Sequence, residues 1–154
     1  MPRQIFDSLD QAILNALSTN ARTPYLEIAR EYGVSGAAVH QRVQRLVSNG
    51  VITGTSCNIS SEALGYNTLA YIGLNLRADA DFDQVMQSLY EIHEGTEGHL
   101  VTGPYDLMIR VEAHDNHHLF ELVQKRLRPM GAARTETMIS FREHFKRGLP
   151  ITGE

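Results

Sequence analysis

The chain has 154 residues, of which 42% are hydrophobic and 21% charged, and its formal net charge is −4. No apolar run approaches the ~20 residues of a membrane span, and the N-terminus lacks the apolar core of a secretory signal. We therefore expect a cytoplasmic protein that makes no membrane contact. The single cysteine, Cys57, excludes an internal disulfide and any metal site built from several cysteines.

The charge is distributed unevenly along the chain. Residues 1–60 hold five arginines against four acids, a net +1, whereas residues 61–154 hold nine Lys or Arg against fourteen acids, a net −5. We expect two domains with these bounds. A weakly basic first domain that binds a polyanion would have modest, salt-sensitive affinity in each copy, so several copies would need to bind together.

The first helix is predicted just after the N-terminus. Asp7 can cap it and Asp10 lies in its first turn, where both carboxylates favour the positive end of the helix dipole. Leu9, Ile13, Ala16 and Leu17 form the apolar stripe that faces inward.

Residues 23–48 have the pattern of a helix-turn-helix. We expect Thr23 to cap the first of these two helices and Pro24 to occupy its first position. Gly33 suits the left-handed conformation that ends a helix, and Ser35 can cap the next helix, which starts at Gly36. Helical spacing predicts two buried faces, formed by Tyr25, Ile28, Ala29 and Tyr32 and by Val39, Val43, Leu46 and Val47.

The outer face of the second of these helices is polar and carries no acid. No Asp or Glu occurs between Gly33 and Ser48, so this helix can approach a polyanion without repulsion. The pattern is typical of a DNA-recognition helix, although an ordinary helical hairpin with a solvated outer face has the same spacing. The residues predicted to contact DNA are Ser35, Ala37, His40, Gln41, Arg42, Gln44 and Arg45.

The second half of the chain follows a turn at Asn49-Gly50 and a strand-like run over residues 51–59. Alternation and helical spacing then predict strands around residues 70–76, 99–102, 107–113 and 135–141, with helices after the first and third strands. The order β-α-β-β-α-β is that of the ferredoxin-like arrangement. The predicted fold is therefore α+β, with a three-helix helix-turn-helix domain followed by a C-terminal βαββαβ domain.

One face of such a sheet is not covered by its own helices. Tyr71 and Met138 would place apolar side chains on that face, which favours a homodimer in which two sheets pack together. The two helix-turn-helix domains of such a dimer would then match DNA half-sites about 34 Å apart.

A histidine cluster has to be considered as a metal site, because His114 and His118 have the i, i+4 spacing of some zinc ligands. Asp115 or Asn116 is more simply explained as a helix cap, and no HExxH motif follows. The sequence also contains no phosphate-binding glycine loop, GxSxG elbow or supported Cys–His pair. We therefore expect neither a metal, nor a cofactor, nor catalysis.

Several motifs in order resemble the Lrp/AsnC family of transcriptional regulators, over almost the whole chain from Phe6 to about His144. Their order and spacing across two domains make this resemblance specific. The matching segments are Phe6-Asp7-Ser8-Leu9-Asp10, Leu26-Glu27-Ile28-Ala29, Gly33-Val34-Ser35, Arg42-Val43, Arg45-Leu46, Gly50-Val51-Ile52, Leu64-Gly65-Tyr66, Val101-Thr102-Gly103-Pro104-Tyr105-Asp106-Leu107 and Arg134-Thr135-Glu136-Thr137.

The resemblance implies a regulator that binds double-stranded DNA, forms dimers and often octamers, and responds to an amino acid bound between neighbouring dimers. Asp106 could accept the ammonium of such an effector, and backbone N–H groups around Gly103 could bind its carboxylate. An acid at Glu136 would favour a basic or polar effector side chain. The residues that the resemblance places at the effector site are Gly103, Tyr105, Asp106, Thr135, Glu136, Thr137 and Met138.

The chain departs from the family pattern at a few positions. Gly36 stands where proline is frequent, and His40-Gln41 replace residues that are often basic, so the preferred DNA sequence would differ. The alternative to a DNA-binding regulator is an amino-acid sensor whose helical head contacts another protein. A steep salt dependence of DNA binding would distinguish the two.

Overall fold

The structure is a computed structural model and describes residues 6–151. It divides into two compact units. The first holds the described residues through Cys57 together with a C-terminal segment that begins at Phe145, and the second is Asn58–His144. The predicted domain boundary after residue 60 lies close to this division. The prediction differs for the segment from Phe145 onward, which it assigns to the second domain and the structure groups with the first unit.

Three helices build the first unit: α1 (Ser8–Thr19), α2 (Tyr25–Tyr32) and α3 (Gly36–Ser48). Their buried side chains form one apolar cluster, which Leu9, Ala16 and Leu17 extend from α1 as predicted. Tyr32 and Val47 are exposed instead of buried, because each lies at the edge of its helix's apolar stripe. The buried members of the cluster are Ile13, Ile28, Ala29, Val39, Val43 and Leu46.

The helix ends show which capping predictions are right. The Asp7 carboxylate accepts from the Asp10 N–H at 2.9 Å, and the Ser35 hydroxyl accepts from the Ala38 N–H at 3.1 Å. Gly33 has φ +64°, the left-handed conformation expected after α2. The Thr23 cap is wrong, since α2 begins one residue later than predicted and the Thr23 hydroxyl donates to the Asn20 carbonyl at 2.7 Å.

The strand predicted over residues 51–59 is not formed. The N–H groups of Val51 and Ile52 donate to the Leu46 carbonyl at 2.9 and 3.1 Å, and both side chains pack on the helical core. Among residues 6–151, the sheet contains no strand from this region. A β-branched run becomes a strand only when a neighbouring strand satisfies its backbone groups.

The second unit is the predicted four-stranded antiparallel sheet with helices. The strands lie in the order β2-β3-β1-β4, which is the ferredoxin-like order. A short 3₁₀ turn, Glu62–Leu64, precedes the sheet. The elements are β1 (Thr68–Leu76), α4 (Phe82–Tyr90), β2 (Gly95–Leu100), β3 (Leu107–Ala113), α5 (Asn116–Leu122) with a π-helical turn (Val123–Leu127), and β4 (Ala132–Ser140).

Alternation along the central strands separates a covered face from an open one. Every second residue of β3, from Leu107 to Ala113, is buried, and β1 buries Ala70, Ile72 and Leu74. These side chains pack against Val85 of α4 and against Leu119, Leu122, Val123 and Leu127 from the second helical segment. Helical spacing in the sequence predicts that the inward side chains of the two helical segments are Phe82, Val85, Met86 and Leu89, and Leu119, Leu122, Val123 and Leu127. All of them belong to this core except Phe82, which is 39% exposed.

The two outer strands are predicted less well than the central ones. β2 begins at Gly95 and ends at Leu100, whereas the prediction places it at residues 99–102. It pairs only with β3, and every residue in it is exposed, so it has no apolar alternation to reveal it. Phe141 lies just beyond the end of β4 and is fully exposed.

Candidate functional site

The outward face of α3 is open along its length. Ala37, His40, Gln41 and Gln44 are exposed, while Val39, Val43 and Leu46 on the opposite side are buried in the helical core. Ser35 is exposed at the helix start, where its hydroxyl caps α3. The predicted contact residues other than the two arginines therefore lie together on one accessible surface.

Arg42 and Arg45 are engaged elsewhere, by carboxylates of α1 and its cap. Asp10 is 2% exposed and accepts from Arg45 Nη2 at 2.7 Å and from Arg42 Nη1 at 3.1 Å. Arg42 also pairs with Asp7. Both guanidinium groups remain partly exposed, so these ion pairs connect α1 to α3 at the rim of the core.

The hydrogen bonds of this cluster lower the pKa of Asp7 and raise the pKa of Arg42. The Asp10 N–H, and then the Arg42 side chain, hold the pKa of Asp7 below its usual value. Hydrogen bonds to Asp7 and Asp10 raise the pKa of Arg42 above its usual value. Sequence reasoning missed this network, although Asp10 falls at i, i+3 from Ile13 and so lies on the inward side of α1.

The second candidate site is the loop between β2 and β3, which is fastened to β1. The Asp106 N–H donates to the Leu74 carbonyl at 2.9 Å, and the Leu76 N–H donates to Asp106 Oδ2 at 2.8 Å. The Asn75 side-chain amide donates to the Pro104 carbonyl at 2.8 Å. Gly103 has φ +116°, which favours glycine there, and open space lies where a Cβ would be.

Tyr105 lies directly over Gly73 of β1. A Cβ at Gly73 would come within 2.6 Å of the Tyr105 ring, so the ring requires the bare glycine surface. Glu136 is paired opposite Gly73 on β4. The neighbouring Glu136 carboxylate, as a hydrogen-bond acceptor, is the main cause that raises the pKa of Tyr105.

The predicted effector residues on β4 are divided between the two faces of the sheet. Glu136 and Met138 pair opposite Gly73 and Tyr71, so they share the open face with Tyr105. Thr135 and Thr137 pair opposite Leu74 and Ile72 and so belong to the other face. The structure thus brings together Tyr105, Glu136 and Met138, with Gly103 and Asp106 in the adjoining loop, whereas a role for the two threonines stays a prediction.

A larger cavity of the second unit lies away from this loop. It measures about 630 Å³ between the end of α4 and strand β2, with Leu89, Ile92, Leu100 and Ile109 in its lining. No motif in the sequence indicated it, because β2 contributes mostly glycine and polar residues there. In contrast, the loop-and-β4 site is an open surface, since Gly103, Asp106, Glu136 and Met138 are all exposed.

The histidine cluster is built as a hydrogen-bonded stack. His114 Nδ1 lies 2.9 Å from the Gly65 carbonyl, and His118 Nδ1 accepts from the His114 N–H at 3.2 Å. His118 Nε2 is 3.1 Å from Glu94, and Asp115 caps α5 as predicted. Across residues 6–151, no group of three His, Cys, Asp or Glu side chains is arranged to hold a metal.

Comparison with known proteins now identifies the two units. The AsnC-type helix-turn-helix domain matches residues 6–47, and the Lrp/AsnC ligand-binding domain matches residues 69–150. The chain belongs to the Lrp/AsnC family. The regulatory protein AsnC of Haemophilus influenzae is 34% identical over 93% of this chain and 96% of its own length.

Solved Lrp/AsnC structures have the same fold. Escherichia coli AsnC superposes with a TM-score of 0.89 at 32% identity, covering 95% of this chain and 99% of that one. A transcriptional regulator from Neisseria meningitidis, solved as a complex with L-Met, has a TM-score of 0.89 at 20% identity, covering 94% and 96%. The predicted α+β fold and family resemblance are confirmed, and no helix within residues 6–151 is long and apolar enough to cross a membrane.

The buried Asp10 network gives a first testable prediction. Replacing Asp10 by Asn keeps the side chain's size but removes the charge that binds both arginines. We expect the free energy of unfolding to fall by about 1–3 kcal/mol, measured by urea denaturation and far-ultraviolet circular dichroism. The matched control is Asp79→Asn, which disturbs only an exposed pair with Arg77 and should cost less than about 0.5 kcal/mol. Equal effects of the two variants would contradict a structural role for Asp10.

Proposed function

We propose that this Lrp/AsnC regulator reads double-stranded DNA with the exposed face of α3 and that an amino acid bound to the second unit modulates its assembly or DNA affinity. The observation that carries the proposal is the acid-free outer surface of α3, held on α1 by the buried Asp10. Because its target is DNA, we place the protein in the cytoplasm. Its relatives are named as regulators, and we assign it no catalytic role.

We propose that some of the exposed residues of α3 contact base edges and others contact backbone phosphates. Gln41 and Gln44 each carry a donor and an acceptor, which suit the N7 and N6 edge of adenine in the major groove. His40 and Ala37 lie on the same surface and add base-edge contacts. Ser35 lies at the N-terminus of α3, where free N–H groups favour a phosphate. We assign Arg42 and Arg45 primarily to holding α3, with any phosphate contact made by their exposed edges.

Gln41 should influence sequence preference more than overall affinity. We expect Gln41→Ala to relax the preference at one base pair by about 1–3 kcal/mol, because the variant cannot form the base-edge pair of hydrogen bonds. Selection of bound duplexes from a randomised pool would measure this. Gln87→Ala, an exposed glutamine of α4, is the matched control and should leave the preference unchanged. An unaltered preference in Gln41→Ala would remove Gln41 from base reading.

The open face of the sheet is proposed to pair with the same face of a second copy. Tyr71 and Met138 pair across β1 and β4, and each is 40% exposed there. These two apolar side chains are exposed side by side on a sheet face that the protein's own helices do not cover, and a two-fold pairing would present two helix-turn-helix domains to two half-sites. Further assembly, such as an octamer, follows from the family resemblance and is proposed on that basis.

A charge on the open face should separate the two copies. We expect Tyr71→Lys to weaken self-association by at least about 100-fold, because two unpaired ammonium groups would be buried across the two-fold axis. Sedimentation equilibrium measures the dissociation constant. Phe120→Lys makes the same change at an exposed apolar residue of α5 and should leave association intact. Dissociation by both variants, or by neither, would contradict the open face as the interface.

The effector is proposed to bind beside the β2–β3 loop, with its ammonium on Asp106 and its carboxylate on backbone N–H groups near Gly103. Asp106 uses Oδ2 to hold the Leu76 N–H, and among the described residues no hydrogen bond engages Oδ1. Glu136 Oε2 lies 3.6 Å from Arg134 Nη2, and the Glu136 carboxylate raises the pKa of the neighbouring Tyr105. We propose that Tyr105 and Glu136 select an effector with a polar or basic side chain. Because the loop is an open surface in one chain, we propose that a neighbouring copy closes the site.

Two substitutions of Asp106 separate its binding role from its structural role. Asn keeps an acceptor for the Leu76 N–H but removes the charge, whereas Ala removes both. A thermal-shift screen of the twenty amino acids identifies those that raise the melting temperature of the wild type. With such an amino acid, calorimetry should show about 10- to 100-fold weaker binding to Asp106→Asn, while its melting temperature without ligand stays near that of the wild type. Unchanged binding to Asp106→Asn would exclude the assigned ammonium contact.

A further inference from the structure

A short basic segment follows β4, beyond the last of the sequence motifs named above, which ends at Thr137. Residues 142–147, here called the basic segment, carry Arg142, Lys146 and Arg147 against a single acid, Glu143. All six residues are exposed, and none belongs to a helix or strand. The segment therefore presents its positive charge to solvent.

The end of this segment belongs to the same compact unit as the helix-turn-helix, since that unit includes the chain from Phe145 onward. Within residues 6–57 four arginines balance four acids, so the three-helix part has no net charge. Lys146 and Arg147 therefore supply the whole net charge of +2 among the described residues of the first unit. The second unit, with seven basic and thirteen acidic residues, carries −6.

The basic groups of the first unit also differ in how far they are neutralised. Arg42 and Arg45 are bound to Asp7 and Asp10. For Lys146 and Arg147, as for Arg22 and Arg30 in the three-helix part, no carboxylate of residues 6–151 lies within ion-pair distance. The Arg147 guanidinium lies 5.2 Å from the centre of the Phe145 ring, a contact that positions a cation without neutralising it.

We propose that Lys146 and Arg147 form a second DNA contact, which binds backbone phosphates while α3 occupies the major groove. This inference rests on the proposed function, because it requires that α3 engages a duplex. Phosphate contacts carry no sequence information, so the basic segment supplies affinity and α3 supplies preference. The arrangement explains how a helix-turn-helix of zero net charge can bind a polyanion.

The exposed apolar residues Phe141, Phe145 and Leu149 in the same region would suit contact with another protein chain instead. Charge decides between the two partners here, because the second unit carries a net charge of −6 while Lys146 and Arg147 bring the described residues of the first unit to +2. Contact with protein is therefore treated as an outcome of the experiment below.

The experiment compares three full-length proteins. The test variant is Lys146→Gln with Arg147→Gln, which removes charge but keeps Phe145 and the chain length. The matched control is Arg126→Gln with Arg128→Gln, two exposed arginines of the second unit outside any ion pair among the described residues. Fluorescence anisotropy follows binding to a mixed-sequence duplex between about 50 and about 300 mM KCl, a range in which phosphate-driven affinity changes strongly. Light scattering records the mass of each protein.

We expect the slope of log affinity against log salt to become shallower in the test variant, by about 0.9 for each phosphate that the variant no longer neutralises. At the same mass, its affinity should fall about 10-fold or more for all duplexes alike, and the control should match the wild type. An unchanged slope, or a weaker affinity that appears only together with a changed mass, overturns the proposal. Failure of the wild type itself to bind DNA in a salt-dependent manner would instead refute the proposed function.

Discussion

The first unit depends on one buried carboxylate. Asp10 is almost fully enclosed, and an isolated charge in that position would be strongly unfavourable, so it holds two guanidinium groups of α3 beside it. The apolar contacts of Val39, Val43 and Leu46 bring α3 against the core but tolerate small rotations. The directional pairs with Arg42 and Arg45 restrict those rotations. The face that carries Gln41 and Gln44 is thereby held in one orientation, which the proposed base contacts would require.

At the candidate site of the second unit, a glycine determines where an aromatic ring lies, because a side chain at Gly73 would collide with the Tyr105 ring. Gly73 leaves room for Tyr105 on the open face of the sheet, and Glu136 on the neighbouring strand raises the pKa of Tyr105. The loop beside it is pinned by backbone bonds of Asp106 and by Asn75. Most groups that would face an effector are thus arranged before it binds, which lowers the conformational entropy that binding costs.

The sequence predicted those parts of the fold whose pattern is local. Alternation identified β1 and β3 because one face of each strand is buried, and Gly33 and Ser35 marked the turn because their backbone roles are specific. It misplaced the bounds of β2, whose residues are all exposed, and it was wrong for residues 51–59, which have β-branched residues but no neighbouring strand in the described chain. The same limit applies to the site. Arg42 and Arg45 were interpreted from their own helix, whereas their surroundings depend on Asp10, which lies on a different helix far earlier in the chain.

The distribution of charge links the two units to function. A helix-turn-helix domain with little surplus charge would gain little of the counterion release that dominates non-specific DNA affinity, so under the proposed function it would bind wrong sequences weakly. The acidic second unit repels DNA phosphates, and this repulsion grows with every copy in the assembly. Each copy would therefore need to offset it at its own DNA contact. Under the proposed function, Lys146 and Arg147 of each chain would offset this repulsion locally, and pairing of copies through the open sheet face would strengthen binding by raising the effective concentration of the second helix-turn-helix. Affinity would then depend on assembly, which is the step that an effector bound between copies would alter.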